Sequence, residues 1–277
     1  MAKLVGVFAS SHAPLIVRGW KSVKPDDRHE LTRSLTELGR RLRAVRPDVL
    51  VEISPDHWVN FFINNLPAVC IGIGEEHDGP PEPFMKKVYP HERLKGHAGF
   101  GRHLLQTALD NDFEPALSHR LKLDHGTCIP LWRIGVSPDL PLVPILVNDL
   151  EEPMPSIRRC FAWGRLLRRA VESYAEPLRV AVLGTGGLSH SIGEPTMGWI
   201  DEKFDHECIR HFENGDEGRL DAFLTRELPR TGNGAHEMRD WVIAHGAAGS
   251  RGFELIDYFP SPATLVGAGF ASWKLVA

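Results

Sequence analysis

The sequence predicts an α/β layer architecture, and three observations carry that reading. Short apolar segments near residues 3–9, 48–53, 68–74, 141–147 and 178–184 have the length and composition of strands. Helical patterns fill most of the intervals between them, the alternation that an α/β fold requires. The 277 residues hold no internal repeat, low-complexity tract or linker, so a single domain over residues 1–277 with a substantial core is expected.

The first strand segment opens "KLVGVFASSHAPL" and runs through two serines into His12 and Pro14. The clearest helix follows from about His29 to Val45, with Leu31, Leu35, Leu38, Leu42 and Val45 at three- and four-residue steps and Pro47 just beyond. The next strand, in "VLVEISPDHW", begins as an apolar run of the kind a buried strand shows and stops at Pro55, Asp56 and His57. Two strands that end on a histidine suggest ends aimed at a common point. The segment "GEEHDGPPEPFMKK", residues 74–87, carries Pro80, Pro81 and Pro83 and reads as a stiff loop, a pocket wall more than a domain boundary. A second helix over about Ser156 to Tyr174 sets Ile157, Phe161, Leu167, Val171 and Tyr174 opposite Arg158, Arg165, Arg168 and Arg169, a solvated face.

Composition narrows the function. A formal net charge of -4 offers no basic field for nucleic acid, and 42% hydrophobic with 25% charged residues is ordinary for a soluble protein. Cys70, Cys128, Cys160 and Cys208 are scattered without a CxxC pair, as expected of small buried thiols in a reducing cytoplasm. Nothing approaches the roughly 20 apolar residues of a membrane span, so a cytoplasmic protein without membrane attachment is expected. Fourteen histidines invite a metal hypothesis, although His91, His97 and His103 read as solvated surface imidazoles.

Three tempting motifs fail. "VAVLGTGGLSHS" places glycines after a strand but has Ser189 where a dinucleotide fingerprint needs its third glycine. In "HECIRH" the histidines His206 and His211 are five residues apart, which separates them by about 140° around a helix and forbids a shared metal on one face. GxSxG and P-loop signatures are lacking, which sets aside the common serine-hydrolase and nucleotide-hydrolase routes.

What survives is a set of element ends beside glycine or proline: His12 in "SSHAPL", His57 in "SPDHW", His125 in "LDHGT", His190 in "GTGGLSHS" and Glu237 in "GNGAHEMRDW". With "LPAVCIGIG", "RCFAWGRLLRRAVES" and "EKFD", in this order over nearly the whole chain, they resemble the class III extradiol ring-cleavage dioxygenases, the family of the protocatechuate 4,5-dioxygenase β subunit and 2,3-dihydroxyphenylpropionate 1,2-dioxygenase. The departures fall mostly between Gly74 and Gly99.

The resemblance implies a single α/β domain with a central mixed β-sheet flanked by helices and a metal site at the sheet edge. It implies Fe(II) held by His12, His57 and Glu237, a facial triad with open positions for an aromatic diol and O₂. It makes His190 the base that helps deprotonate the diol and His125 the acid that assists ring opening; the plain alternatives are a glycine-flanked turn histidine for His190 and a structural histidine oriented by Asp124 for His125. A homo-oligomer, or a separate small helical subunit over the pocket, is the expected assembly. Ser261 and Thr264 in "FPSPATLVG", and Phe84, Lys86 and Lys87 in the proline-rich loop, are candidates to meet a polar ring substituent, as in protocatechuate, gallate or a dihydroxyphenyl-alkanoate. A zinc enzyme using the same ligands, a non-catalytic binding protein on the same fold and an aminophenol substrate stay open as alternatives.

Overall fold

Apolar runs too short for helices are buried on both faces here, and that burial places them at the centre of a sheet. In the computed structural model, which describes residues 1–275, the chain runs through β1 (Lys3–Ser10), α1 (Leu15–Arg18), α2 (Pro25–Ala44), β2 (Val49–Pro55), β3 (Val69–Gly72), β4 (Glu76–Asp78), α3 (Pro83–Lys86) and β5 (Arg93–Lys95). It continues through α4 (Ala98–Leu109), β6 (Ala116–Ser118), α5 (His125–Arg133), β7 (Leu142–Val147), α6 (Ile157–Ser173), β8 (Arg179–Thr185), α7 (Glu202–Asn214), α8 (Glu217–Glu227), α9 (Met238–Ala247), β9 (Phe253–Ser261) and β10 (Val266–Trp273). The last two residues of the expected domain, 276–277, lie outside the described residues.

Eight strands form one mixed sheet in the order β6-β3-β7-β2-β8-β1-β10-β9. Its centre, β7-β2-β8-β1, is parallel, and antiparallel pairings join β3 to β7, β10 to β1 and β9 to β10. β4 and β5 pair separately as a small antiparallel ribbon. One face of the sheet packs on residues of α4, α6 and α9, including Phe100, Phe161 and Trp241, and the other on residues of α1, α2 and α5, including Ile16, Leu35 and Ile129. This is the two-sided helical cover that a parallel sheet needs. The most extensive helix packing is α6 on α9, where a Cβ at Gly164 would lie 2.3 Å from the Ile243 carbonyl oxygen, so glycine permits the approach.

Several expectations need adjustment. α2 begins at Pro25, earlier than the apolar stripe suggests, because proline suits the first helical position and Asp26 and Asp27 favour the helix N-terminus. The run in β2 is interrupted by Glu52, which is fully buried all the same. His91, His97 and His103 are half-buried: His97 Nδ1 accepts the Phe100 N–H at 3.0 Å as the cap of α4, and His103 Nε2 lies 3.0 Å from both the Ala170 carbonyl and Ser173 Oγ. The hairpin β9–β10 escaped the strand pattern, since β9 mixes charges into a half-buried edge and β10 is rich in glycine and alanine. All four cysteines are buried and free. Among the described residues no helix is long and apolar enough to cross a membrane.

Candidate metal centre and active site

The sheet order explains why the histidines meet. β2, β8 and β1 are neighbours in that order, all parallel, so the loops after them leave the same edge of the sheet. His12 follows β1, His57 follows β2 and His190 follows β8. This is the edge where open α/β sheets place ligands, outside the carboxyl ends of their strands. His125 is the first residue of α5, and Glu237 ends a 3₁₀ turn (Asn233–Glu237) that leads into α9.

The imidazoles converge on one carboxylate. Glu237 Oε1 lies 3.3 Å from His12 Nε2 and 3.5 Å from His57 Nε2, and Glu237 Oε2 lies 3.7 Å from His190 Nε2. Glu237 Oε2 also accepts the Gly187 N–H at 2.8 Å, which fixes the carboxylate to the loop after β8. Each ring is anchored on its other nitrogen. His12 Nδ1 lies 3.2 Å from Thr185 Oγ1, His57 Nδ1 lies 3.1 Å from Asp124 Oδ2, and His190 Nδ1 donates to the Leu188 carbonyl at 2.9 Å. A carbonyl can only accept, so neutral His190 carries its proton on Nδ1 and its free lone pair on Nε2. A side chain at position 234 would strike that ring, since a Cβ on Gly234 would lie 2.1 Å from His190 Nε2.

Burial and charge shape the titration of this cluster in the metal-free chain. Burial is the largest influence on His12 and lowers its pKa despite Glu237, which keeps the ring neutral as a metal ligand must be. For His57 burial acts downward but Asp124 and Glu237 together outweigh it and lift the ring to about 10. Burial would raise Glu237, yet the imidazoles of His12 and His190 hold it well below the usual carboxylate range. His190 is raised, burial being overcome by Glu237.

Ligand atoms of His12, His57 and His125 all lie within 4.8 Å of one another, and the same holds for Glu82, Asp124 and His125. The second group has less to offer a metal, because Asp124 already accepts from His57 N and Nδ1 through Oδ2 and from Gly126 N through Oδ1. The His12, His57 and Glu237 set fits a divalent metal on three grounds: two ring nitrogens and one carboxylate oxygen converge, the rings are fixed by hydrogen bonds on their far nitrogens, and the set borders a cavity.

That cavity has a volume of about 380 Å³, room for a single substituted ring. His12, His57, His125, His190 and Glu237 line it beside apolar Leu150, Ile192, Leu265 and Val266, with Trp58, Asn233 and Thr264 as polar wall residues; none of the described lining residues is lysine or arginine. Thr264 therefore faces the cavity, whereas Ser261 is not among the lining residues and its Oγ accepts the Thr264 N–H at 3.3 Å within the β9–β10 turn. Phe84, Lys86 and Lys87 do not line it either; the proline-rich loop walls a different cavity, through Pro80, Pro81 and Lys86.

Three supporting residues were invisible or misassigned in the sequence. Asp124 orients His57, not His125, and also caps α5 through Gly126 N. His125 is instead held by Glu82 from the proline-rich loop, with Nδ1 2.8 Å from Glu82 Oε1. Asp205, in "EKFD", is buried and accepts from Ser189 N, Ser189 Oγ and Tyr258 Oη at 2.7–2.8 Å, which pins the loop that carries His190. Burial lifts Asp205 to about 6. The signal for Asp205 was a lone aspartate on the apolar side of a helix, beside Phe204 and Cys208.

The chain is 27% identical to a protein named 2,3-dihydroxyphenylpropionate/2,3-dihydroxicinnamic acid 1,2-dioxygenase 2 from Dechloromonas aromatica (strain RCB), over 94% of each chain. A gallate dioxygenase from Pseudomonas putida is 31% identical over 54% of this chain and 45% of its own. The crystal structure of an uncharacterized protein from Escherichia coli K12 superposes with a TM-score of 0.64 at 16% identity, covering 96% of this chain and 99% of that one, a likeness of fold. The family model described as the catalytic LigB subunit of aromatic ring-opening dioxygenase matches residues 6–269, and the chain belongs to that family of ring-opening dioxygenases.

Proposed function

We propose that the protein is a non-heme Fe(II)-dependent extradiol dioxygenase that cleaves the ring of a catecholic substrate of the protocatechuate, gallate or dihydroxyphenyl-alkanoate type with O₂, working in the cytoplasm. The observation that carries this reading is the convergence of His12 and His57 Nε2 on one oxygen of Glu237, beside an apolar cavity of single-ring size. Relatives named for dihydroxyphenylpropionate and gallate support the substrate class.

His12, His57 and Glu237 would hold the metal. Fe(II) held there would supply open coordination positions for a diol and for O₂ and the electron that O₂ activation requires. The remaining chemistry belongs to side chains. His190 presents a free Nε2 lone pair to the cavity and takes a proton from a diol hydroxyl, while the Leu188 carbonyl keeps Nδ1–H in place. His125 lies beside the two ligand histidines, its ring 4.1 Å from that of His57 and 5.8 Å from that of His12, and returns a proton to oxygen as the ring opens. Leu150, Ile192, Leu265 and Val266 exclude water from the ring and its reactive products. A homo-oligomer, or a small helical subunit over the cavity mouth, belongs to the same proposal and is read by light scattering.

The deciding experiment is anaerobic Fe(II) loading followed by oxygen uptake over catechol, protocatechuate, gallate, dihydroxyphenylpropionate and aminophenols. Ring-opened product formed in step with oxygen consumed is the expected result. Full activity with zinc and no oxygen uptake would overturn it, and turnover confined to aminophenols would replace the substrate class.

A further inference from the structure

We propose that Glu82 is a positioning residue that sets the ring orientation and tautomer of His125. The proposal depends on the dioxygenase reading only for what His125 then does. A single oxygen, Glu82 Oε1, accepts both from His125 Nδ1 at 2.8 Å and from the His125 backbone N–H at 3.0 Å. A carboxylate accepts and does not donate, so the proton of neutral His125 is drawn to Nδ1 and Nε2 is left as the nitrogen available to the cavity. The ring is then boxed by His57 on one side, at 4.1 Å between centroids, and by Phe84 at 6.2 Å.

Two features show that this contact serves His125 and not the loop. The Glu82 side chain makes its described hydrogen bonds only to His125, and its other oxygen, Oε2, is buried with no partner among the described residues. A buried, half-satisfied carboxylate costs stability, so a structural loop has no reason to keep it there. The flanking Pro80, Pro81 and Pro83 fix φ on both sides of Glu82, which lets a loop place one carboxylate with the reproducibility of a regular element. None of the described residues between Gly74 and Gly99 lines the cavity. Glu82 therefore reaches the chemistry through His125 alone.

The test compares Glu82→Ala and Glu82→Gln, each alone and combined with His125→Ala, in the iron-loaded full-length protein. Glu82→Ala should lower kcat by about 10- to 100-fold, the range found for partners that orient a functional imidazole, with KM and iron content little changed. Glu82→Gln keeps an acceptor oxygen at the same reach and should retain more activity. In the His125→Ala background Glu82→Ala should cost nothing further, because residues that act as a unit are non-additive. Long-range proton–nitrogen spectra of the histidine side chains in the metal-free full-length chain give a readout independent of turnover. They should show His125 with its proton on Nδ1, and a mixture of tautomers in Glu82→Ala. Additive losses in the double variant, an unaltered tautomer or a loss of iron would each overturn the proposal. An absence of dioxygenase activity with the tautomer shift intact would instead fail the functional reading and leave the role of Glu82 standing.

Discussion

Asp124 Oδ2 accepts both the backbone N–H and the Nδ1–H of His57, at 2.9 and 3.1 Å. It thereby turns His57 Nε2 toward Glu237 before any metal arrives, the carboxylate–histidine arrangement that commonly supports metal sites. Asp124→Asn should weaken Fe(II) binding by about 10- to 100-fold. Asparagine still caps a helix, so α5 should survive, and an anaerobic titration against a competing chelator reads the metal affinity directly. An unchanged dissociation constant would show that the Asp124 contact does not tune the ligand.

His12→Ala, His57→Ala and Glu237→Ala should each abolish metal binding and turnover together. Activity of the parent should decay in air and return with a reductant plus Fe(II), and metal analysis should find one iron per chain. A variant that keeps full iron occupancy strikes its residue from the ligand set; indifference to chelator and reductant favours zinc.

For His190→Ala and His125→Ala, iron should be retained while turnover falls by roughly 10² to 10⁴, the range for losing a general base or acid. The losses should differ in kind: without His190 oxygen consumption itself suffers, and without His125 consumption outlasts the appearance of open-chain product. Because His125 lies within ligand distance of His12 and His57, iron content is the discriminating measurement. Loss of metal in His125→Ala would make it a ligand or a support.

The cavity wall bears on substrate choice through Thr264, a lining residue whose Oγ1 makes a 3.4 Å contact to the Ser261 carbonyl. Carboxylated catechols should show higher kcat/KM than catechol, and Thr264→Val should narrow that preference by about 3- to 10-fold, the worth of one hydrogen bond. Ser261→Ala should do less, since its hydroxyl is spent on the turn. Equal efficiency with the unsubstituted ring would remove Thr264 as the recognising group.

Glu52 gives a pH dependence unrelated to turnover. Burial raises its pKa to about 8 in the folded chain, although Thr127 Oγ1 donates to it at 2.9 Å. Between the unfolded value near 4.5 and about 8 the folded state holds a proton that the unfolded state has lost, so this group stabilises at low pH and its contribution declines as pH rises through that window. Glu52→Gln removes the dependence. The variant should gain on the parent by up to about 1 kcal/mol per pH unit from pH 5 to 8, and then level off. Urea midpoints at several pH values check this; parallel curves would mean that Glu52 is ionised in the folded protein.

Local chemistry made part of this molecule readable in one dimension. Apolar runs marked β1, β2, β7 and β8, three- and four-residue steps marked α2 and α6, and glycine or proline punctuation flagged the element ends where His12, His57, His125, His190 and Glu237 sit. These signals depend on neighbours a few residues away, and a linear pattern preserves them. The tertiary structure decided what depends on contacts far apart in sequence. That β8 lies between β1 and β2 is a matter of strand order, and it alone brings His190 to the same cavity as His12 and His57, more than 130 residues away. Asp124 was legible as the neighbour of His125, yet its carboxylate turns to His57 because it also caps the helix that His125 begins. Glu82 reaches His125 across 43 positions, and a hydrogen bond over that distance leaves no periodicity for the eye to catch. The sequence determined which strand and helix ends carry ionisable groups; packing of the sheet and its loops decided which of those groups face one another.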